Sequence, residues 1–385
     1  MGLVENKLKM KKQKKKNYFF TPKFGCLRSN DAVPSAAAEA DGAFDVEAGG
    51  NKRDHLPTHL IIMVNGMIGS AQNWRFAAKQ FVKAYPNDVI VHCSESNSTM
   101  LTFDGVDVMG KRLADEVLSV VARHPNLQKI SFVGHSLGGL VVRYAIAELY
   151  TQDIIVKPNE NESRKLSSED DKPRGKIAGL EPVNFITSAT PHLGSRGHKQ
   201  VPLFCGFYTM EKLALRASGL LGRTGKHLFL SDCDGEKPPL LLRMSGDSED
   251  HMFISALQSF ERRVAYANYL VGWSSSSLRR RNELPKRRDF FKNPKYPHIV
   301  YEEKSNTTNS QQEISLEAKV ARGRATDMEE TMIRRLTKLS WERVDVSFTG
   351  SVQRFMAHNT IQVKTQSINY AGVDVIQHMI DNFQL

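Results

Sequence analysis

The chain has 385 residues, 40% hydrophobic and 25% charged, which excludes a collagen-like or low-complexity protein and suits one large α/β domain with inserts or two small ones. The net charge of +11 is concentrated in residues 1–30, where nine Lys and Arg side chains face Glu5 alone, so the folded part has no excess that calls for a nucleic-acid partner. Cys26, Cys93, Cys205 and Cys233 show neither metal-ligand spacing nor a disulfide framework. No apolar run reaches the roughly 18 residues that span a bilayer, and the amino terminus has no signal-peptide apolar region. A reduced, cytoplasmic protein is expected.

Residues 1–56 read as a basic disordered tail and linker, the second half rich in Ala, Gly and Asp. Three readings fit the run Lys7–Lys16: a solvated arm, a polybasic patch drawn to anionic membrane with Tyr18, Phe19 and Phe20 as an apolar wedge, or a nuclear import signal. A plastid address also stays open. Gly2 is followed by Asn6 where a myristoylation signal needs Ser or Thr.

His59–Val64 is the first convincing strand, and it runs into a loop carrying Gly66 and Gly69. Trp74, Phe76, Phe81 and Val82 fit a covering helix, and 88–93 a second strand. A helix follows over 104–122 with Val108, Leu113, Val117, Val120 and Val121 inward, closed by His124-Pro125. Next comes the apolar run 129–133, then Gly134-His135-Ser136-Leu137-Gly138, then a helical stretch to Tyr150. Strand, tight turn and helix around Gly-x-Ser-x-Gly is the arrangement of a nucleophile elbow. It stands Ser136 at the carboxyl edge of the sheet, at a helix amino terminus that favours a developing oxyanion. The main-chain N–H of Leu137 and one from Met67 or Ile68 are the candidate oxyanion donors.

Residues 157–176 are polar and insert-like. The strand over 184–190 ends at Pro191-His192, where His192 either lines a pocket or satisfies loop backbone. The stretch 201–242 is apolar with a helical face, either a lid for an acyl chain or a packed helical insert. A helix over 252–262 and a strand over 263–268 follow, then a Ser-, Arg- and Lys-rich excursion over 274–330 read as partly disordered. Trp341–Phe348 alternates as the last strand, and a closing helix over 372–383 turns Val373, Ile376, Ile380 and Phe383 inward. Alternating strands and helices imply a mostly parallel central sheet flanked by helices.

Acyl transfer by serine needs an imidazole base and an orienting carboxylate, in the order Ser, acid, His. His358, between the last strand and the closing helix, is the candidate base. Its rival His378 shares a helix with Asp374 and Asp381, which predicts an outward, polar face.

The stretches 59–74, 94–110, 131–144, 177–198, 222–230, 254–273, 341–348 and 357–381 resemble the plant branch of a serine esterase family, the domain of unknown function numbered 676 among lipase-like α/β-hydrolases. The resemblance covers most of 57–385. It implies an α/β-hydrolase fold with helical lid-like and disordered inserts at about 157–176, 196–245 and 274–335. It also implies hydrolysis of carboxylic, lipid-like acyl esters with Ser136 as nucleophile and His358 as base, and no metal or organic cofactor. One departure stands out: the family carries extra residues, including an aspartate, after the strand that ends near Asn268. Here Tyr269 and Leu270 follow Asn268 and no carboxylate appears until Glu283. Asp247, Glu249 and Asp250 are the spatial substitutes to examine. A hydrolase fold with impaired catalysis, kept as a lipid-binding or interaction module, is the alternative.

Overall fold

The computed structural model describes residues 43–47, 56–152, 175–195, 221–235, 237–270, 272–305 and 325–385. The Lys7–Lys16 run, most of the 157–176 insert, residues 201–220 of the lid-like stretch, and 306–324 lie outside them. Residues Gly42–Leu385 form one compact unit.

In chain order the elements begin with β1 (Phe44–Val46), β2 (His59–Val64), α1 (Arg75–Ala84), β3 (Val89–Cys93) and α2 (Val106–Arg123). The elbow region follows as β4 (Lys129–His135) and α3 (Leu137–Glu148), then a small antiparallel pair, β5 (Tyr150–Thr151) with β6 (Lys176–Ile177). Then come β7 (Glu181–Ser188), α4 (Gly222–Leu228), α5 (Leu240–Arg243), α6 (Phe253–Gln258), β8 (Arg262–Asn268) and α7 (Trp273–Ser277). The chain closes with β9 (Ile299–Ser305), α8 (Ala325–Leu336), β10 (Trp341–Val346), α9 (Ala357–Thr360), α10 (Gln366–Asn369) and α11 (Val373–Asp381).

Among the described residues one sheet holds eight strands in the order β1-β3-β2-β4-β7-β8-β10-β9. The six inner strands pair in parallel, and β1 and β9 close the edges antiparallel. Along β2 the side chains divide by parity: Leu60, Ile62 and Val64 join one core cluster, Ile61 and Met63 the other. That is why its apolar run is continuous rather than alternating, as in any strand covered on both faces. Helices α2, α3, α6 and α8 cover the first face, α1 and α11 the second. On α2 it is Met109 that is fully buried, and Val108, expected inward, is half-buried. On α11 Val375 takes the inward place expected of Val373, which is exposed.

Two departures have physical causes that hydropathy does not register. In the stretch whose composition reads as linker, Asp45 of β1 accepts from His92 Nδ1 at 2.5 Å, and Glu116 accepts from the other ring nitrogen, Nε2, at 3.1 Å. Both carboxylates hold the buried imidazole charged, raising it to about 9 despite its burial. The second departure is the Ser-rich run after β8, which is ordered. Ser274–Ser277 form α7 and are buried. Ser275 Oγ accepts the Leu193 N–H at 3.0 Å and donates to the Gly194 carbonyl at 3.1 Å, while Ser274 Oγ donates to the Arg279 carbonyl at 2.6 Å.

Arg279 is buried against Asp345 of β10, with guanidinium contacts of 2.7 and 3.0 Å, and Trp273 Nε1–H donates to the same carboxylate at 2.5 Å. Burial raises the Asp345 carboxyl above its ordinary range, and the Arg279 charge opposes that. The pair pins the segment after β8 to the sheet. Arg279 Nε also donates to the partly exposed Glu303 at 2.9 Å, so removing Asp345 still leaves the guanidinium a carboxylate. Removing Arg279 leaves Asp345 buried without its cation, which typically costs about 3–5 kcal/mol, whereas an apolar pair of similar volume is often neutral. Arg279→Met should therefore lower unfolding stability in denaturant titration by about 3 kcal/mol or more, and adding Asp345→Leu should recover most of it.

Candidate active site

Ser136 lies between β4 and α3 with φ 54° and ψ −125°, a left-handed backbone that a residue with a Cβ adopts only under strain of about 1–3 kcal/mol. Its N–H donates to the Ser188 carbonyl of neighbouring β7 at 2.8 Å, and its own carbonyl accepts the Gly139 N–H at 3.2 Å. The bend is thus held by the adjacent strand on one side and by the first turn of α3 on the other. The side chain is almost fully buried.

The loop after β2 closes on this bend. A Cβ on Gly66 would stand 2.9 Å from Ser136 Cβ, and one on Gly138 would collide with the Val64 and Asn65 carbonyl oxygens. Glycine at both positions lets the end of β2 and the start of α3 touch main chain to main chain. The Gly69 N–H donates to the Gly66 carbonyl at 3.0 Å, making a turn with Met67 and Ile68 at its corners. Asn65 Nδ2 braces the turn by donating to the Gly66 and Asn97 carbonyls, both at 3.1 Å. Ile68, also at positive φ, spends its N–H on Thr102 Oγ1 at 3.0 Å. That leaves the N–H groups of Met67 and Leu137 without an acceptor among the described residues. Of the two loop donors considered from sequence, Met67 is the one available to an oxyanion.

His358 comes to Ser136 from far along the chain. Its Nε2 accepts the Ser136 Oγ–H at 2.9 Å. It sits on α9, whose Thr360 Oγ1 donates to the Met356 carbonyl at 2.9 Å and accepts Asn369 Nδ2–H at 3.1 Å. A second clamp comes from the elbow: His135 Nε2–H donates to the His358 carbonyl at 2.7 Å, and the two rings lie 4.8 Å apart. Burial holds His135 well below the ordinary histidine range, with the nearby His358 ring adding to it, so this clamp is a neutral donor. Burial likewise lowers His358 to about 4, and the charge of Lys364 pushes the same way.

No carboxylate among the described residues hydrogen-bonds the His358 ring. At the end of β8, Asn268 Oδ1 accepts the Leu270 N–H at 3.0 Å, while its buried Nδ2 has no partner. Asp247, a possible substitute by sequence, is instead the cap of α6, taking the N–H groups of Ile254 and Ser255 at 2.7 and 3.1 Å and the Ser255 hydroxyl at 2.6 Å. Glu249 and Asp250 lie exposed beside it. Asp345, which the sequence did not single out, is the buried carboxylate nearby along the sheet, and it is committed to Arg279 and Trp273.

The two other histidines weighed from sequence, His192 and His378, are structural. His192 is buried, shares a 3.0 Å hydrogen bond with Thr187 Oγ1, packs edge-on against Trp341, and gives its carbonyl to Arg143 at 3.3 Å. His378 does not face outward: it is buried, and its Nδ1 accepts the Tyr266 hydroxyl at 2.8 Å. The polar face of α11 is covered by 296–302, whose Tyr296 and His298 bind Asp381 and Asp374. Among the described residues no group of three or more His, Cys, Asp or Glu side chains is placed to hold a metal ion, and no helix is long and apolar enough to cross a membrane.

A strained serine at a strand-to-helix bend of a mostly parallel, helix-covered sheet places the protein among the α/β-hydrolases. Within that class, residues 54–278 match the family described as "Putative serine esterase (DUF676)", and the chain belongs to that family. It is 30% identical over 214 residues to "Putative lipase ROG1" of Saccharomyces cerevisiae, covering 54% of this chain and 26% of that protein. It is 27% identical over 235 residues to "Putative lipase C4A8.10" of Schizosaccharomyces pombe, covering 57% of this chain and 26% of that one. The chain thus spans about a quarter of the length of these curated relatives. Among solved structures, a mature Bacillus licheniformis lipase, BlEst2, overlaps 63% of this chain and 77% of its own at 16% identity and a TM-score of 0.36.

Proposed function

We propose that the protein hydrolyses carboxylic esters of lipid-like acyl groups, with Ser136 as nucleophile and His358 as general base. The observation that carries this reading is the 2.9 Å hydrogen bond from Ser136 Oγ to His358 Nε2 at a strained elbow. In the first step Ser136 Oγ attacks the acyl carbon while its proton passes to His358 Nε2. The N–H groups of Met67 and Leu137 take the oxyanion. Collapse expels the alcohol with the proton from His358. Water, deprotonated by the same nitrogen, then releases the acid from the acyl-enzyme. A plant source, a cytoplasmic location and contact of Lys7–Lys16 with anionic membrane belong to the same proposal, on sequence grounds; the relatives named above are fungal.

The hydroxyl can donate to Nε2 only in the tautomer that carries its proton on Nδ1, and no carboxylate pins that tautomer. Lys364 also opposes the imidazolium that forms in each step. In a serine protease, loss of the orienting acid lowers turnover by about ten-thousandfold while the oxyanion hole remains. These facts favour a second reading, a slow hydrolase whose main role is binding lipid or a partner.

Three measurements bear on these readings. A serine-directed fluorophosphonate should label the native chain and fail to label Ser136→Ala; no labelling under conditions that mark an intact relative would remove the nucleophile assignment. Because the base is the neutral ring and its proton affinity is depressed, kcat/KM for a soluble ester should be level from about pH 8 to pH 5 and fall about tenfold per pH unit below about 4. A mid-point near the unperturbed 6.5 would show that the His358 ring is not desolvated, while leaving a histidine as the base. Finally, an aspartate-bearing loop inserted after Asn268 should raise turnover at least about a hundredfold if the present chain is slow for want of an acid, and leave it unchanged if His135 and the α9 bracing already suffice.

A further inference from the structure

The segment that delivers His358 carries an exposed apolar surface with no role in the chemistry above. Val352 is 84% exposed and Phe355 73%, both on the 3₁₀ turn that leads into α9. Ile368 on α10 is 50% exposed and Tyr370, just after it, 60%. These short helices pack against one another, so the four exposed side chains come from neighbouring elements. Single exposed apolar residues are ordinary on a protein surface, but a cluster beside a reactive serine is not.

Charge selects the partner. Residues 347–372 contain Arg354 and Lys364 and no Asp or Glu. The Arg354 guanidinium lies over the Phe355 ring, 4.6 Å from its centroid. Neither cation is ion-paired among the described residues. A second protein would be expected to offer carboxylates to specific positions. Exposed apolar side chains with two cations beside them, a phenylalanine and a tyrosine among them, instead match the acyl chains and phosphates of a phospholipid surface.

We propose that Val352, Phe355, Ile368 and Tyr370 insert into a phospholipid surface, with Arg354 and Lys364 at the level of its phosphates, and so present the mouth of the Ser136–His358 site to the lipid. The use of this surface rests on the esterase reading; the binding itself does not. The docking residues are other than the Lys7–Lys16 run and the Tyr18, Phe19 and Phe20 that follow it.

The test is cosedimentation of the full chain with phosphatidylcholine vesicles in 0.5 M salt, where attraction between the tail and a membrane is screened. The native chain should bind, and Val352→Ser/Phe355→Ser/Tyr370→Ser should bind about thirtyfold or more weakly. Hydrolysis of a soluble short-chain ester should stay within about twofold in that variant. Equal binding by native and variant chains would overturn the proposal, as would binding lost on deleting residues 1–30 alone. Self-association of the native chain that the triple change abolishes, without vesicle binding, would assign the face to a second copy and also overturn it. Phe355→Trp gives an independent readout that does not depend on the triple variant folding: its emission should shift to the blue on adding vesicles, and an unshifted spectrum counts against insertion. Vesicle binding with no ester turnover would leave the docking face standing and remove the esterase reading instead.

Discussion

The contact between Ser136 Oγ and His358 Nε2 joins positions 222 residues apart, and half of the main sheet, β7 to β10, is laid down between them. β4 delivers the serine and β10 leads to the histidine, with β7 and β8 between, and all four run parallel. Parallel strands put their carboxyl ends at one edge, so two loops far apart in sequence meet there without either being long. The strain at Ser136 persists because its N–H is held by β7 and its carbonyl by α3. Strand register therefore fixes the serine more firmly than any side chain does. A slip of β4 against β7 would remove the Ser188 acceptor and the bend with it.

The electrostatics of the site follow from burial and from one cation. A ring at about 4 is neutral over the physiological range and ready to accept a proton, but weakly basic. Each transfer from Ser136 to His358 creates a positive ring near Lys364 with no carboxylate to meet it. Protein groups hold the ring in place by its main chain instead, through His135 and the Thr360–Asn369 bracing. Orientation and charge stabilisation, which one carboxylate supplies together in a triad, are separated here: the clamps supply the first and nothing among the described residues supplies the second.

What the sequence made legible was what backbone geometry and apolar patterning encode. The strands at 59–64, 89–93, 129–135 and 341–346 carry continuous or alternating apolar runs, and the elbow is a local motif. Polar interiors were not legible. Ser274–Ser277 look like linker because their hydroxyls, rather than hydrocarbon, satisfy the interior. Arg279 and Asp345 look like surface charges because each is neutralised by a partner 66 residues away. His378 was assigned to solvent from Asp374 and Asp381, and those carboxylates are what recruit 296–302 to cover it. The oxyanion donor was narrowed to Met67 or Ile68, and the choice waited on Thr102, a residue with no motif to mark it.

The buried ion pair and the missing acid share one piece of chain. Arg279 and Trp273 both reach for Asp345, the segment leaving β8 has four residues between Asn268 and α7, and Asn268 accepts the Leu270 N–H within it. A loop that short, anchored at both ends, has no slack from which to send a side chain to the His358 ring. The family match ends at residue 278, one position before Arg279, so the anchor lies just outside the matched region. Lengthening this connection need not disturb the pair, because Arg279 and Trp273 lie beyond the point where residues would be added. The loop and the anchor are therefore separable: the sheet edge stays sealed by Asp345 whatever the length of the connection.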